Sequence, residues 1–321
     1  MIGFHNTPPF GFRDLSIQGS QYLGVQDIGR MMRVCKGWRD WASKELVVWK
    51  NASQHDKIPL VDGKGRNYRE DLKQIRPLVS SIHGLMGRVL GPVPPISQET
   101  FRKFTSNDLD RFGGGNFREN FVLLIDPSSI ERRVGNDTPL ALRGNRLVKV
   151  PAGEVVEQTL VIEATFPNLL LLANFPQKGK WHLPVYRIDK DVLDAMIEQS
   201  IDCPEKVGVR VMRQSILEES RHGTFAEQQA LVEQMAPGEG YGVESARRRF
   251  LFDAERILTT GNCPDGQVPQ WTYVRGPETV DVYGGNCHLV VGSFAPGRGV
   301  DVGSDIFDIG AFIAVVAGGP A

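Results

Sequence analysis

Apolar residues recur at steps of three and four between residues 22 and 50, the spacing that places side chains on one face of an α-helix. This stripe consists of Ile28, Met31, Met32, Cys35, Trp38, Trp41 and Ala42. Three tryptophans, Trp38, Trp41 and Trp49, fall within the same segment. A piece this short cannot bury three indole rings within itself. We therefore predict two short helices whose apolar area is covered by the rest of the chain or by another protein.

Helical spacing returns between residues 70 and 91 and between residues 98 and 112. Pro77 is expected to start or kink the first of these helices, because proline lacks the backbone N–H that a helix interior needs. A polar, turn-rich segment begins near Ser53 and separates both helices from the N-terminal stripe. The sequence thus predicts a small helical module in residues 1–52 and a helical connector in residues 53–115.

From Asn116 onwards the pattern becomes mixed. Strands are predicted at residues 120–126, 146–151, 155–164, 169–175, 181–188, 207–212, 271–275, 279–283, 288–294 and 309–316. Between them, a helix follows Asp189, and Thr224 and Glu227 have the spacing of a capping box at the start of another. A further helix runs from about Val243 to Leu258 with Gly261 as its stop. The predicted fold class is α+β, with residues 116–321 as a mixed domain that could recognise a target.

The N-terminal segment also carries a resemblance to a known module. In order, its residues are Tyr22-Leu23, Asp27-Ile28, Val34-Cys35-Lys36, Trp38-Arg39, Ala42-Ser43 and Trp49-Lys50. This series resembles the second half of an F-box, a helical module that joins a substrate-recognising protein to the Skp-type adaptor of a cullin-RING ubiquitin ligase. The Leu-Pro opening usual in that family is absent here, and only Leu15, Ile17, Tyr22 and Leu23 stand where its first helix would lie.

The resemblance implies a substrate-recruiting, non-catalytic role in ubiquitination. Such a protein accelerates transfer by raising the effective concentration of a target near the ubiquitin-loaded enzyme. The implied partners are the Skp-type adaptor and a target protein that the sequence does not identify. The residues implied to carry the module, some as adaptor contacts and some as its own core, are Leu23, Ile28, Met32, Val34, Cys35, Trp38 and Trp49.

A second, looser resemblance lies near the other end of the chain. Residues 271–275 (WTYVR) and 290–296 (VVGSFAP), preceded by residues 209–213 (VRVMR), are similar to the C-terminal region of F-box-like proteins from chlamydia-related intracellular bacteria. Because bacteria lack this ligase system, the resemblance implies a secreted effector that acts in the cytosol of a eukaryotic host. A eukaryotic origin would give the same molecular role without a secretion step.

Composition narrows the other possibilities. The chain has 321 residues, 41% of them apolar and 23% charged, with a net charge of -1, as expected of a soluble globular protein. A net charge this close to zero gives no general electrostatic attraction to nucleic acid or membranes, so neither is an expected partner. The densest basic run, residues 247–249, is predicted to be a solvated helix face. Four scattered cysteines and the lack of a secretory signal favour a reducing cytoplasm.

An enzyme, for example a hydrolase with its site in the C-terminal domain, is the main alternative. Cys287 and His288, with His222 and Cys263, are its sharpest candidates, but neighbours on a strand point to opposite faces. These residues also lack the paired spacing of a zinc site. Asp301, Asp305 and Asp308 are predicted to lie on a surface loop. No catalytic residue, metal or cofactor is predicted, and a structural interaction protein remains the third possibility.

Overall fold

The computed structural model describes most of the chain. It covers residues 20–34, 39, 42, 45–63, 65–106, 108–151, 153–179, 186–199, 204–262, 272–295, 299–305 and 313–321. Residues 1–19 lie outside this part, as do Cys35, Trp38, Trp41, Cys203, Cys263 and Asp308. The fold is α+β, as the sequence predicted.

Contacts between residues divide the chain into two compact units, which interleave along the sequence. Unit 1 consists of Met1–Val79 and Pro92–Ser106, and unit 2 consists of Ser80–Gly91 and Asn107–Ala321. The division into three parts with limits at residues 52 and 115 stays a prediction.

Unit 1 is built from helices. They are α1 (Val25–Val34), α2 (Leu46–Asp56), α3 (Tyr68–Ile75) and α4 (Gln98–Thr105), with a 3₁₀ turn at Arg76–Leu78. Side-chain caps satisfy free backbone N–H groups where two of these helices begin: the side chain of Asn67 accepts from Glu70 and that of Ser97 from Thr100. The core contains Ile28, Val48, Trp49, Leu72, Ile75, Ile96 and Phe104.

The helix predicted over residues 70–91 is wrong beyond Ile75. The chain passes through the 3₁₀ turn that contains Pro77 and then forms two short strands, β1 (Val79–Ser80) and β2 (Arg88–Val89). Gly84 and Gly91, with φ of 80° and 81°, adopt a left-handed conformation that a helix does not use. The next helix also stops early, at Thr105 rather than near residue 112.

The described part of unit 2 contains three sheets and a separate hairpin. The remaining strands are β3 (Phe121–Asp126), β4 (Ser129–Val134), β5 (Leu140–Arg143), β6 (Arg146–Lys149), β7 (Gln158–Glu163), β8 (Tyr186–Ile188), β9 (Gly208–Arg213), β10 (Gly242–Val243), β11 (Tyr273–Val282), β12 (Gly285–Ala295), β13 (Gly299–Asp305), β14 (Ile313–Ala314) and β15 (Ala317–Pro320). The strand orders are β1-β3-β9-β15-β10, β14-β11-β12-β13-β8 and β2-β4-β7, and β5 pairs with β6. Most pairs are antiparallel, whereas β8 runs parallel to β13 and β14 runs parallel to β11.

Five helices of unit 2 connect and cover these strands in the described part of the chain. They are α5 (Phe117–Asn120), α6 (Phe166–Ala173), α7 (Lys190–Glu198), α8 (Phe225–Met235) and α9 (Ala246–Thr260), with a 3₁₀ turn at Glu218–Ser220. The capping box of Thr224 and Glu227 is confirmed at the start of α8. Gly261 ends α9 in the left-handed conformation, as predicted.

Two predictions of secondary structure made for unit 2 are wrong. The strand predicted at residues 169–175 is the helix α6, because Thr165 caps its start and Pro167 occupies its first turn. A short, continuously apolar run suits a buried helix as well as a buried strand, and periodicity alone does not separate them. The surface loop predicted around Asp301 and Asp305 is the strand β13, which pairs with β12.

The basic run at residues 247–249 is largely buried, so the prediction of a solvated helix face is also wrong. Arg247 is 2% exposed and Arg249 is fully buried. Arg247 pairs with Asp126 and also donates hydrogen bonds to two carbonyl oxygens, those of Ala164 at 2.9 Å and Pro127 at 2.7 Å. Arg249 pairs with Asp253 at 3.0 Å. These partners offset the desolvation that would otherwise keep the guanidinium groups at the surface.

Candidate functional site

Helix α1 is held in place by polar groups from outside the helix. At its start, the backbone N–H of Val25 donates to Asp56 Oδ2 at 2.9 Å, so the last residue of α2 caps α1. Gly24 makes this approach possible, since a Cβ there would lie 2.4 Å from Asp56 Oδ1. Near the other end, Arg39 Nε donates to the carbonyl oxygen of Met32 at 3.0 Å. Each terminus of α1 therefore has at least one backbone group bonded by a side chain of unit 1.

Helix α2 contributes the tryptophan of the module. Trp49 is 1% exposed, and its Nε1 donates to the carbonyl oxygen of Ala42 at 2.6 Å. The buried indole thus has the hydrogen-bond partner that such a ring needs in an apolar core. Asn51 Nδ2, on the same helix, donates to Ser20 Oγ at 2.9 Å and ties the segment before α1 to α2.

Apolar side chains remain exposed on the two helices. The last residue of α2 caps the start of α1, and the two helices contact each other. Met31 lies in the last turn of α1, and Leu46 and Val47 lie in the first turn of α2. These three side chains are 39%, 45% and 41% exposed. We call Met31, Leu46 and Val47 the exposed apolar residues of the helix pair.

The residues that the F-box resemblance singled out fall into three groups. Ile28, Met32 and Trp49 are core residues of unit 1, and Leu23 is half-buried. The side chain of Val34 lies outside the described part, as do Cys35 and Trp38. Met31 belongs to the apolar stripe found in the sequence, but it is not among the residues that the resemblance implies. Leu46 and Val47 were not predicted to take part. The signal in the sequence is the aliphatic run Leu46-Val47-Val48, because one face of a helix cannot bury three consecutive side chains.

The candidate thiol and imidazole of an enzyme each have contacts of their own within the fold. The thiol of Cys287 lies 3.9 Å from the carbonyl oxygen of Val282 and 3.7 Å from that of Gly285. Burial, assisted by the charges of Asp305 and Asp281, raises the pKa of Cys287, which is the opposite of what activates a nucleophile. His288 Nδ1 lies 3.2 Å from the carbonyl oxygen of Gly276, and its ring packs against Phe225.

The acidic residues on β13 also have partners within the fold. Asp301 Oδ2 accepts from the hydroxyl of Tyr273 at 3.2 Å, and Asp305 pairs with the buried Arg275. Within the described ranges, no group of three or more histidine, cysteine, aspartate or glutamate residues has the arrangement of a metal site. No helix in the same ranges is long and apolar enough to cross a bilayer.

Comparisons with protein-family models, with curated proteins and with solved structures found no match to this chain. The F-box resemblance therefore stays a prediction that rests on the residues between 22 and 50.

Proposed function

We propose that the protein is a substrate-recruiting adaptor, in which unit 1 docks to a Skp-type adaptor of a cullin-RING ligase and unit 2 holds the target. The observation that carries the proposal is the exposure of three apolar side chains on the helix pair, those of Met31, Leu46 and Val47. Exposed apolar side chains on a surface are typical of sites that bind another protein.

The anchoring of the two helices supports the same proposal. Asp56 caps the start of α1 and Trp49 is buried against Ala42, so the exposed side chains project from a pair of helices that is held by internal bonds. A preorganised surface loses less conformational entropy when a partner binds. The order of residues from Tyr22 to Lys50 selects a Skp-type adaptor as that partner.

The place of action follows from the partner. A Skp-type adaptor works in the cytosol of eukaryotic cells, so we propose a cytoplasmic location there. If the chain comes from an intracellular bacterium, as the C-terminal resemblance suggests, it acts as an effector in the host cytosol.

A binding measurement with purified Skp-type adaptor tests the proposal. We expect the full chain to bind, and the double variant Leu46→Asp/Val47→Asp to bind at least about tenfold more weakly, because each buried aliphatic side chain contributes roughly 1.5–3 kcal/mol. Aspartate in the first turn of α2 is favourable for the helix itself, so the variant is expected to fold.

The matched control is Leu109→Asp, which changes an exposed leucine of unit 2. It should bind the adaptor like the native chain. No binding by the native chain would contradict the proposed function, whereas equal binding by the native chain and the double variant would contradict the assigned surface.

A further inference from the structure

Arg132 is a buried arginine on β4 that has only neutral partners. Arg132 is 3% exposed. Its Nη2 donates to the carbonyl oxygen of Phe175 at 2.6 Å and reaches Thr138 Oγ1 at 3.5 Å, and its Nη1 reaches the carbonyl oxygen of Met86 at 3.3 Å. The buried Nε has no hydrogen-bond partner in the described structure. One short bond and two long ones leave much of the donor capacity of the guanidinium unused.

The other buried arginines of unit 2 are different, because each of them faces a carboxylate. These pairs, in the described part of the unit, are Arg213 with Asp110, Arg247 with Asp126, Arg249 with Asp253, and Arg275 with Asp305. In the described part of unit 2, Arg132 is the one buried arginine without such a partner. Burial lowers its pKa, and no neighbouring negative charge opposes this effect. A buried cation without a counterion costs several kcal/mol, which an anion bound from outside would offset.

Two lysines belong to segments that contact the partners of Arg132 or their chain neighbours. Lys149 Nζ lies 5.9 Å from the centre of the Phe175 ring. The backbone N–H of Lys178, three residues after Phe175, donates to the carbonyl oxygen of Leu85 at 3.2 Å, next to the Met86 carbonyl that Arg132 contacts. Both lysines are exposed, and neither pairs with a carboxylate among the described residues. We call Arg132, Lys149 and Lys178 the cation cluster.

We propose that the cation cluster binds a phosphate-type oxyanion, either free phosphate or the phosphoryl group of a small monoester. Arg132 is buried, whereas Phe175 and Thr138, which contact it, are half-buried. A guanidinium binds such an oxyanion through parallel N–H donors, and its long contacts to Met86 and Thr138 are the ones that the anion replaces. The two lysines supply point charges at the rim.

Calorimetric titration of the full chain with inorganic phosphate and with glycerol 3-phosphate, at an ionic strength matched with chloride, tests this site. We expect binding, and an increase in the thermal unfolding temperature that chloride does not produce. Tighter binding of the monoester would identify a phosphoryl ester as the ligand, and equal binding would identify free phosphate. If neither anion binds and neither raises the unfolding temperature, the proposal is wrong.

Three variants connect the binding to the cluster. Arg132→Met should weaken binding about tenfold or more, because it removes charged hydrogen bonds. The double variant Lys149→Met/Lys178→Met changes exposed residues and keeps the fold, and it should weaken binding about two- to tenfold. Arg133→Met is the control, since the neighbouring Arg133 is exposed and pairs with Glu157 at 3.1 Å. Unchanged binding by the double lysine variant, or equal losses in all three, would overturn the assignment.

Discussion

Asp126 places one carboxylate between two arginines of α9. Arg247 Nη1 pairs with its Oδ1, and Arg248 Nε donates to its Oδ2 at 2.6 Å. Burial by itself would lower the pKa of Arg248, but the charges of Glu244 and Asp126 outweigh that effect and raise it. Because Asp126 ends β3, this pair of contacts joins α9 to the first sheet of unit 2.

Replacing the carboxylate while keeping its shape tests this contact. We expect Asp126→Asn to lower the free energy of unfolding by about 3–5 kcal/mol, because Arg247 stays buried with its charge uncompensated. Urea unfolding of the full chain measures the change. Asp137→Asn, at an exposed turn position, is the control and should change stability by less than about 0.5 kcal/mol. A similar small change in both variants would contradict the argument.

At the scale of elements, a bulge in β11 caps the helix α9. The pairing of β11 with β12 shifts between Arg275 and Thr279, and Glu278 in this bulge accepts from the backbone N–H of Ala246 at 2.9 Å. Gly276 permits the close approach, since a Cβ there would lie 2.4 Å from the nitrogen of Ala246. The other oxygen of Glu278 is buried without a hydrogen-bond partner among the described residues, and desolvation raises the pKa of this residue.

The raised pKa predicts a pH dependence of stability with a definite sign. The ordinary pKa of a glutamate side chain is 4.5. Well below this pH, Glu278 is protonated in both the folded and the unfolded state, so its burial carries no penalty for a charged group. As the pH rises, the unfolded chain ionises first and the folded state is penalised. We therefore expect Glu278→Gln, which cannot ionise, to gain stability relative to the native chain between pH about 4 and pH about 8.

Urea unfolding at both pH values measures this difference for the native chain and for Glu278→Gln. The control is Glu154→Gln, which changes an exposed glutamate. A stability difference between Glu278→Gln and the native chain that stays constant with pH would show that desolvation of this carboxylate is not the cause.

At the scale of the whole molecule, the two units are not consecutive pieces of the chain. Unit 2 takes Ser80–Gly91 from between the two parts of unit 1. This segment supplies Ser80, the second residue of β1, which lies beside β3, and it supplies β2, which pairs with β4. The shift from helical to mixed pattern near residue 116 does not reveal this contribution.

A fragment of residues 107–321 should therefore be defective although it contains most of unit 2. Without β1 and β2, the outer edges of β3 and β4 lose their neighbours, and open strand edges favour association. We expect this fragment to oligomerise on size-exclusion chromatography and to unfold at lower urea concentration than a fragment of residues 79–321, which keeps both strands. Identical behaviour of the two fragments would contradict this account.

The sequence by itself determined the features whose signals lie in neighbouring residues. The capping box of Thr224 and Glu227 and the glycine stop at Gly261 are local, because a cap bonds within one helical turn. The stripe at residues 28–32 likewise predicted an apolar helix face, and Ile28 and Met32 are buried. In the candidate site, this local information identified the helices but not which of their apolar side chains stay exposed.

Tertiary structure decided which polar residues are buried and which apolar residues stay exposed. Arg247 and Asp126 are 121 positions apart in the chain, so no local pattern links the arginine to the carboxylate that allows its burial. Similarly, Leu46 and Val47 are exposed because α2 turns its other face, with Val48 and Trp49, toward the core. Burial depends on partners brought together by folding, and spacing along the chain carries information only about the nearest turn.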